Sequence, residues 1–159
     1  PSTYRVHDSQ HKAWVLAGNS LTAVPASNSV KSVILSLIAC RDMEFQDEKK
    51  GNLVFLGIKG RSLCLFCAEI EGKPTLQLKK RKKIKELTSL SSEKLLPFTF
   101  LKEQAGTYFT LESAANPGYF VCTGSVPGQP VGVTKELGKH KNTHFEFVNA
   151  NVDLSEMED

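Results

Sequence analysis

Short apolar alternations, each stopped by glycine, proline, asparagine or serine, recur along the whole 159-residue chain and constrain its fold more than any other feature. A period of two sends successive side chains to opposite faces of a strand, whereas an amphipathic helix needs apolar residues three and four apart. Helical spacing is scarce here. Strands are therefore expected at Tyr4 to Val6, Ala13 to Leu16, Leu21 to Val24, Val33 to Cys40, Leu53 to Gly57, Ser62 to Cys67, Thr75 to Lys79, Phe98 to Lys102, Tyr108 to Glu112, Tyr119 to Cys122, Val131 to Lys135 and Thr143 to Val148. Asn116-Pro117-Gly118 is a turn between two of them, because proline presets its own φ and glycine accepts a positive one.

The alternations also repeat. Ala13-Trp14-Val15-Leu16 with its return Leu21-Thr22-Ala23 aligns with Val54-Phe55-Leu56-Gly57 and Leu63-Cys64-Leu65, and again with Tyr108-Phe109-Thr110-Leu111 and Tyr119-Phe120-Val121. On this alignment each pair is a hairpin that opens one third of the chain, and the last is the third cap hairpin. Pro74 to Lys79 then leads on to Phe98-Thr99-Phe100, as Pro130 to Lys135 leads on to Phe145-Glu146-Phe147. Three sets of four strands predict an all-β chain, a β-trefoil of about twelve strands: a six-stranded barrel capped at one end by three hairpins. Closure removes the exposed edges along which open sheets aggregate. Residues 1–159 are expected to form one domain with its core at about 4–148, and the acidic stretch 149–159 to be a flexible tail.

Composition adds bounds. A chain of this length buries about 70% of its unfolded surface, so neither a metal nor a disulfide staple is needed. Apolar content of 40% with 23% charged residues suits a soluble globular chain. No apolar run approaches the roughly 20 residues that would cross a bilayer, so no membrane insertion is expected. Pro1 to Arg5 has neither a basic nor an apolar leader pattern, so a signal peptide is absent or already removed.

The residue types argue against chemistry. Cys64-Leu65-Phe66-Cys67 has the spacing of a zinc or redox motif, but it lies in an apolar strand, and His7, His11, His140 and His144 are far from it in sequence. Cys40, Cys64, Cys67 and Cys122 read as packed free thiols. No nucleophile stands beside a base, so no catalytic residues, metal or cofactor are expected. A lectin-like site would repeat an aromatic and a carboxylate in each third, and that set is missing. The basic run of Lys79, Lys80, Arg81, Lys82, Lys83 and Lys85 could hold a heparin-like polyanion or act in the nucleus; its plain reading is a solvated connection with a helical turn near Lys83 to Leu87. Two charged connections, 41–50 and 136–142, are better placed for protein recognition, the first with Met43 and Phe45 as apolar anchors.

Glu112-Ser113-Ala114-Ala115-Asn116-Pro117-Gly118-Tyr119-Phe120-Val121-Cys122-Thr123 closely resembles the C-terminal signature of the interleukin-1 cytokine family, a set of β-trefoils. Leu56-Gly57-Ile58, Leu63 to Cys67, Lys73 to Lys79 and Phe98-Thr99-Phe100 carry the likeness along nearly the whole chain. The first half, with Trp14-Val15-Leu16 and Leu35 to Asp42, is most similar to the interleukin-36 branch. Cys122-Thr123, Pro130 to Thr134 and the added tail look more like the interleukin-37 branch, and Tyr119 stands where most relatives have tryptophan.

The resemblance implies a pro-inflammatory cytokine, monomeric or weakly dimeric, present in the cytoplasm and then secreted by a leaderless route. It would bind an ectodomain of the interleukin-1 receptor family and recruit the shared accessory receptor; an anti-inflammatory or antagonist member is the alternative. The resemblance places contacts at Tyr4, Arg5, Arg41, Asp42, Met43, Glu44, Phe45, Lys49 and Lys50, and at Glu136, Leu137, Lys139, His140, Lys141 and Asn142. Val6-His7-Asp8 is similar to the element that follows the family's processing point.

Overall fold

The structure, a computed structural model, describes residues 2–40, 51–81, 92–137 and 141–150. The first third of the chain runs through β1 (Ser2–Asp8), β2 (Lys12–Ala17), β3 (Ser20–Pro25) and β4 (Leu35–Ala39). The second contains β5 (Asn52–Ile58), β6 (Leu63–Ile70), β7 (Lys73–Lys80), a short helix α1 (Ser92–Leu95) continued by a 3-10 turn (Leu96–Phe98), and β8 (Thr99–Ala105). The last contains β9 (Tyr108–Ser113), β10 (Phe120–Gly124), β11 (Gly132–Thr134), β12 (Lys141–Asn142) and β13 (Phe145–Asn149).

Antiparallel pairing joins β1 to β4, β4 to β5, β5 to β8, β8 to β9, β9 to β13 and β13 back to β1, so six strands close a barrel. The hairpins β2–β3, β6–β7 and β10–β11 cap one end. This is the expected trefoil with its thirds phased differently. His7↔Ala13, Gly57↔Cys64 and Glu112↔Phe120 are equivalent corner pairs where a barrel strand meets a cap strand. The alignment drawn from sequence had matched the cap hairpin β2–β3 with two such corners. Both arrangements are antiparallel alternations around a short turn, and a period of two cannot tell them apart. The Pro-Gly turn is thus a corner: Tyr119 N donates to Asn116 O at 3.1 Å, and Gly118 takes φ +90°.

With the corners in register, the core sorts into threefold layers. Val6, Leu56 and Leu111 form one, Trp14, Leu65 and Val121 a second, and Leu35, Phe100 and Phe145 a third; all nine are buried. Trp14 meets Phe145 edge-on, with centroids 5.2 Å apart at 75°, a geometry aromatic quadrupoles favour. A second cluster of Cys40, Leu53, Phe55, Cys64, Leu95 and Phe98 lies beside the barrel under α1.

The layer at the barrel's open end breaks the pattern. Leu37, Lys102 and Phe147 occupy its equivalent positions, two residues beyond Leu35, Phe100 and Phe145. The Lys102 ammonium is held over three rings: Phe109 at 4.2 Å, Phe147 at 4.4 Å and Tyr4 at 5.2 Å. Tyr4 and Phe109 in turn meet Phe147 edge-on at 5.7 and 5.8 Å. Burial lowers the Lys102 pKa, while attraction to ring faces, about 2 kcal/mol when desolvated, offsets the cost of the charge. Gly51 is required nearby, because at φ +140° a Cβ would collide with the Lys102 carbonyl oxygen.

Strand ends differ from expectation by at most three residues, and β9 begins at Tyr108 as expected. β1 begins at Ser2 and β13 ends at Asn149, with Ala150 N donating to Thr3 O at 3.1 Å, so ordered pairing reaches beyond both ends of the expected core. α1 and β12 have no sequence signal longer than four residues and were not foreseen. The expected turn at Lys83 to Leu87 lies outside the described residues, as does the tail from residue 151.

Leu65→Ala is expected to cost about 2 to 5 kcal/mol in urea unfolding, the range for a leucine cavity in a closed core. Lys102→Met should be neutral or stabilising. The folded state holds Lys102 below its ordinary value of 10.5, so its charge costs stability at neutral pH and the cost is relieved as pH rises toward 10.5. Wild type should therefore gain stability relative to Lys102→Met over that rise, and parallel pH profiles would refute the assignment.

Candidate functional site

The corner after β1 is built around one carboxylate. Asp8 is 2% exposed. Its Oδ1 accepts from Gln10 N at 2.8 Å and Lys12 N at 2.9 Å; its Oδ2 accepts from Thr123 Oγ1 at 2.5 Å and lies 3.2 Å from Lys12 Nζ. Lys12 is buried too, so both charges of this ion pair are shielded from solvent. The equivalent positions in the other thirds are Ile58 and Ser113, so a charge here depends on Lys12 and Thr123 for compensation. Within Val6-His7-Asp8, Val6 points into the core, His7 lies half-buried on the outer face and Asp8 ties the corner.

The same node reaches the loop before β13. Thr123 is paired with Asn142 and Gly124 with Lys141 through β12, and Ser9 N donates to His144 O at 3.1 Å. Glu136 N donates to Thr134 Oγ1 at 3.1 Å. Glu136, Leu137 and Lys141 are exposed, Leu137 at 53%, while Asn142 is half-buried. These residues share one side of the molecule with the β1–β2 corner.

On the outer face of β1, a cleft of about 510 Å³ is lined by Arg5, His7, Ala13, Ser27, Val30, Lys31 and neighbouring residues. Arg5 Nη1 donates to Ser32 O at 2.7 Å and to Ser32 Oγ at 3.0 Å, which fixes the guanidinium at the rim. Arg5 and Lys31 are cationic and, among the described residues, no carboxylate lines the cleft, so it suits an acidic partner surface. Adjacent strand residues face opposite ways: Arg5 faces the cleft, whereas Tyr4 packs under Lys102 at the barrel mouth. Of the expected contacts, Arg41, Asp42, Met43, Glu44, Phe45, Lys49, Lys50, Lys139 and His140 lie outside the described residues. Ser27, Val30 and Lys31 were missed, because a Ser- and Asn-rich stretch reads as plain connection until folding brings it beside Arg5.

The four cysteines are buried free thiols. Burial pushes Cys40 up to about 12 and also raises Cys67 and Cys122, so these three have no thiolate character at neutral pH. Among the described residues, no group of three His, Cys, Asp or Glu is placed to hold a metal, and no helix is long and apolar enough to cross a membrane.

A sequence profile described as Interleukin-1 / 18 matches residues 26–147. The chain belongs to the interleukin-1 family. Interleukin-36 beta of Mus musculus is 54% identical over 145 residues, spanning 91% of this chain and 78% of that one. Interleukin-36 alpha of Homo sapiens is 39% identical over 145 residues, 91% of this chain and 90% of that one. The solution structure of the pro-inflammatory cytokine interleukin-36alpha superposes with a TM-score of 0.75 at 37% identity, covering 93% of this chain and 92% of that one. Members of this family are extracellular cytokines, not enzymes, and bind receptors of the interleukin-1 receptor family.

Asp8→Ala strands the buried Lys12 cation and should cost about 3 to 5 kcal/mol in chemical denaturation. Thr123→Val removes one donor from a buried carboxylate and should cost about 1 to 3 kcal/mol. Losses within a few tenths of a kcal/mol for both would refute the node.

Proposed function

We propose that the chain is a pro-inflammatory cytokine that binds an interleukin-36-type receptor and recruits the shared accessory receptor, bringing two intracellular domains together. The observation that carries this reading is the 54% identity to interleukin-36 beta across 91% of the chain. Recognition uses surfaces and no bond is made or broken. The basic cleft with Arg5 and Lys31 meets the primary receptor, with residues 41–50 extending that contact through Met43 and Phe45. The exposed Leu137, flanked by Glu136, Lys139, His140, Lys141 and Asn142, meets the accessory chain. Val6-His7-Asp8 sets where an N-terminal segment must end for the corner beside this second surface to stay clear.

The test is a reporter assay in cells bearing the candidate receptor, run beside binding to immobilised ectodomains. Arg5→Glu with Lys31→Glu should weaken primary binding, chiefly through a slower and less salt-dependent association rate. Leu137→Ala should leave primary binding intact and reduce accessory recruitment and signalling about tenfold, as loss of about 1.4 kcal/mol at an apolar anchor implies. Binding without signalling by the unmodified chain would identify an antagonist and overturn the agonist reading.

A further inference from the structure

The receptor surfaces leave the basic run of β7 unused. Lys79 lies in β7 and Arg81 is the first residue past its end, where Arg81 N still bonds Ser62 O and continues the extended ladder, so the two side chains project from one face, roughly 6.6 Å apart in backbone rise. Each charge is pinned: Lys79 Nζ lies 5.1 Å from the Phe66 centroid and Arg81 Cζ 5.1 Å from that of Phe98. The two rings meet edge-on at 4.9 Å, so the pair of cations stands on a fixed aromatic platform over the second core cluster. Lys80 is exposed on the opposite face, and because β7 is the end strand of the sheet path a polymer crossing its free edge reaches both faces. Arg81 N donates to Ser62 O at 2.8 Å, which brings the exposed Arg61 of the preceding turn alongside.

Counter-charge is sparse. Among the described residues no carboxylate forms an ion pair with Lys79, Lys80 or Arg81, and the Arg81 Nε is buried without an acceptor. Glu69, opposite Pro74, and Glu71, in the turn past the Ile70↔Lys73 pair, lie at the far end of the β6–β7 hairpin. On α1, Glu93 and Lys94 are both exposed and cancel. In sequence the basic run continues through Lys82, Lys83 and Lys85.

We propose that this end of the β6–β7 hairpin binds a sulfated polysaccharide through Lys79, Lys80, Arg81 and Arg61. The platform itself argues for a glycan over a single-stranded nucleic acid. Base stacking needs open aromatic faces, whereas Phe66 is covered by Lys79, and Phe98 is 3% exposed with Arg81 over it. Only charge remains on offer, held at a fixed spacing, which suits a repeating anion. Such binding concentrates the chain near its receptors without using the cleft or Leu137.

The test is retention of the full chain on immobilised heparin as salt is raised. Wild type should be retained at about 0.15 M ionic strength, where charges beyond about 8 Å are screened. The triple variant Lys79→Gln, Lys80→Gln, Arg81→Gln should elute below that, with the slope of log affinity against log salt reduced by about three. A variant with the same charge loss elsewhere, Lys31→Gln, Lys73→Gln, Lys135→Gln, should keep the wild-type slope. Lys79→Arg with Arg81→Lys should keep retention, which separates loss of binding from loss of fold. Equal shifts in both triple variants would reduce the effect to net charge and overturn the proposal. So would failure of wild type to be retained, or more effective competition by duplex DNA than by heparin at equal charge.

Discussion

The pairing of β1 with β13, Tyr4 to Asp8 against Asn149 to Phe145, is the constraint on which the remaining structure depends. It joins the first and last strands, and without it the six-stranded sheet would have two open edges. Closure fixes the interior as well. Once β1 lies against both β13 and β4, Val6 must face Leu56 and Leu111 across the barrel, and a one-residue slip would turn the whole strand inside out. The apolar layers therefore specify the register, and the register specifies which polar residues lie at the corners.

Threefold repetition makes the exceptions informative. Where all thirds are apolar, as at Trp14, Leu65 and Val121, the residues serve packing alone. Asp8 breaks the pattern at a corner and recruits Lys12 and Thr123 to satisfy it, which couples the N-terminal strand to β10 and through Asn142 to the exposed loop. Lys102 breaks it at the open end, where three aromatic rings replace the carboxylate it lacks. Both exceptions tie β1 to later parts of the chain, Asp8 to Thr123 of β10 and Tyr4 to Lys102 of β8.

Strand positions, the closed all-β architecture and the family were legible from alternation, turn residues and the signature around Asn116-Pro117-Gly118. The phase of the repeat was not, because a corner and a hairpin share one local pattern and only long-range pairing distinguishes them. Long-range placement also hid most of the site. Nothing near Arg5 in sequence points to Lys31, which sits beside it because the 26–32 segment folds back over β1. Likewise Phe66 and Phe98 look like ordinary core residues until the pairing of β6 with β7 sets Lys79 and Arg81 above them. Phe66 lies 13 positions before Lys79 and Phe98 lies 17 after Arg81, so neither is visible as part of the basic run in sequence.

The described barrel is filled to its axis by the threefold apolar layers, and burial raises the pKa of Cys40, Cys67 and Cys122, so the polar features of interest lie on its outside. There the charges are segregated. The cleft with Arg5 and Lys31 and the platform with Lys79 and Arg81 are both basic, yet they differ in what surrounds the cations. In the cleft, hydrogen bonds from Arg5 to Ser32 aim one guanidinium within a concave, shape-selective wall, which suits a folded protein partner. On the platform, two cations stand at fixed spacing over rings on an open strand, which suits a repeating anion that needs no shape. The two proposed roles are therefore compatible, one resting on fit and one on charge density, because the barrel holds the two basic regions on different strands.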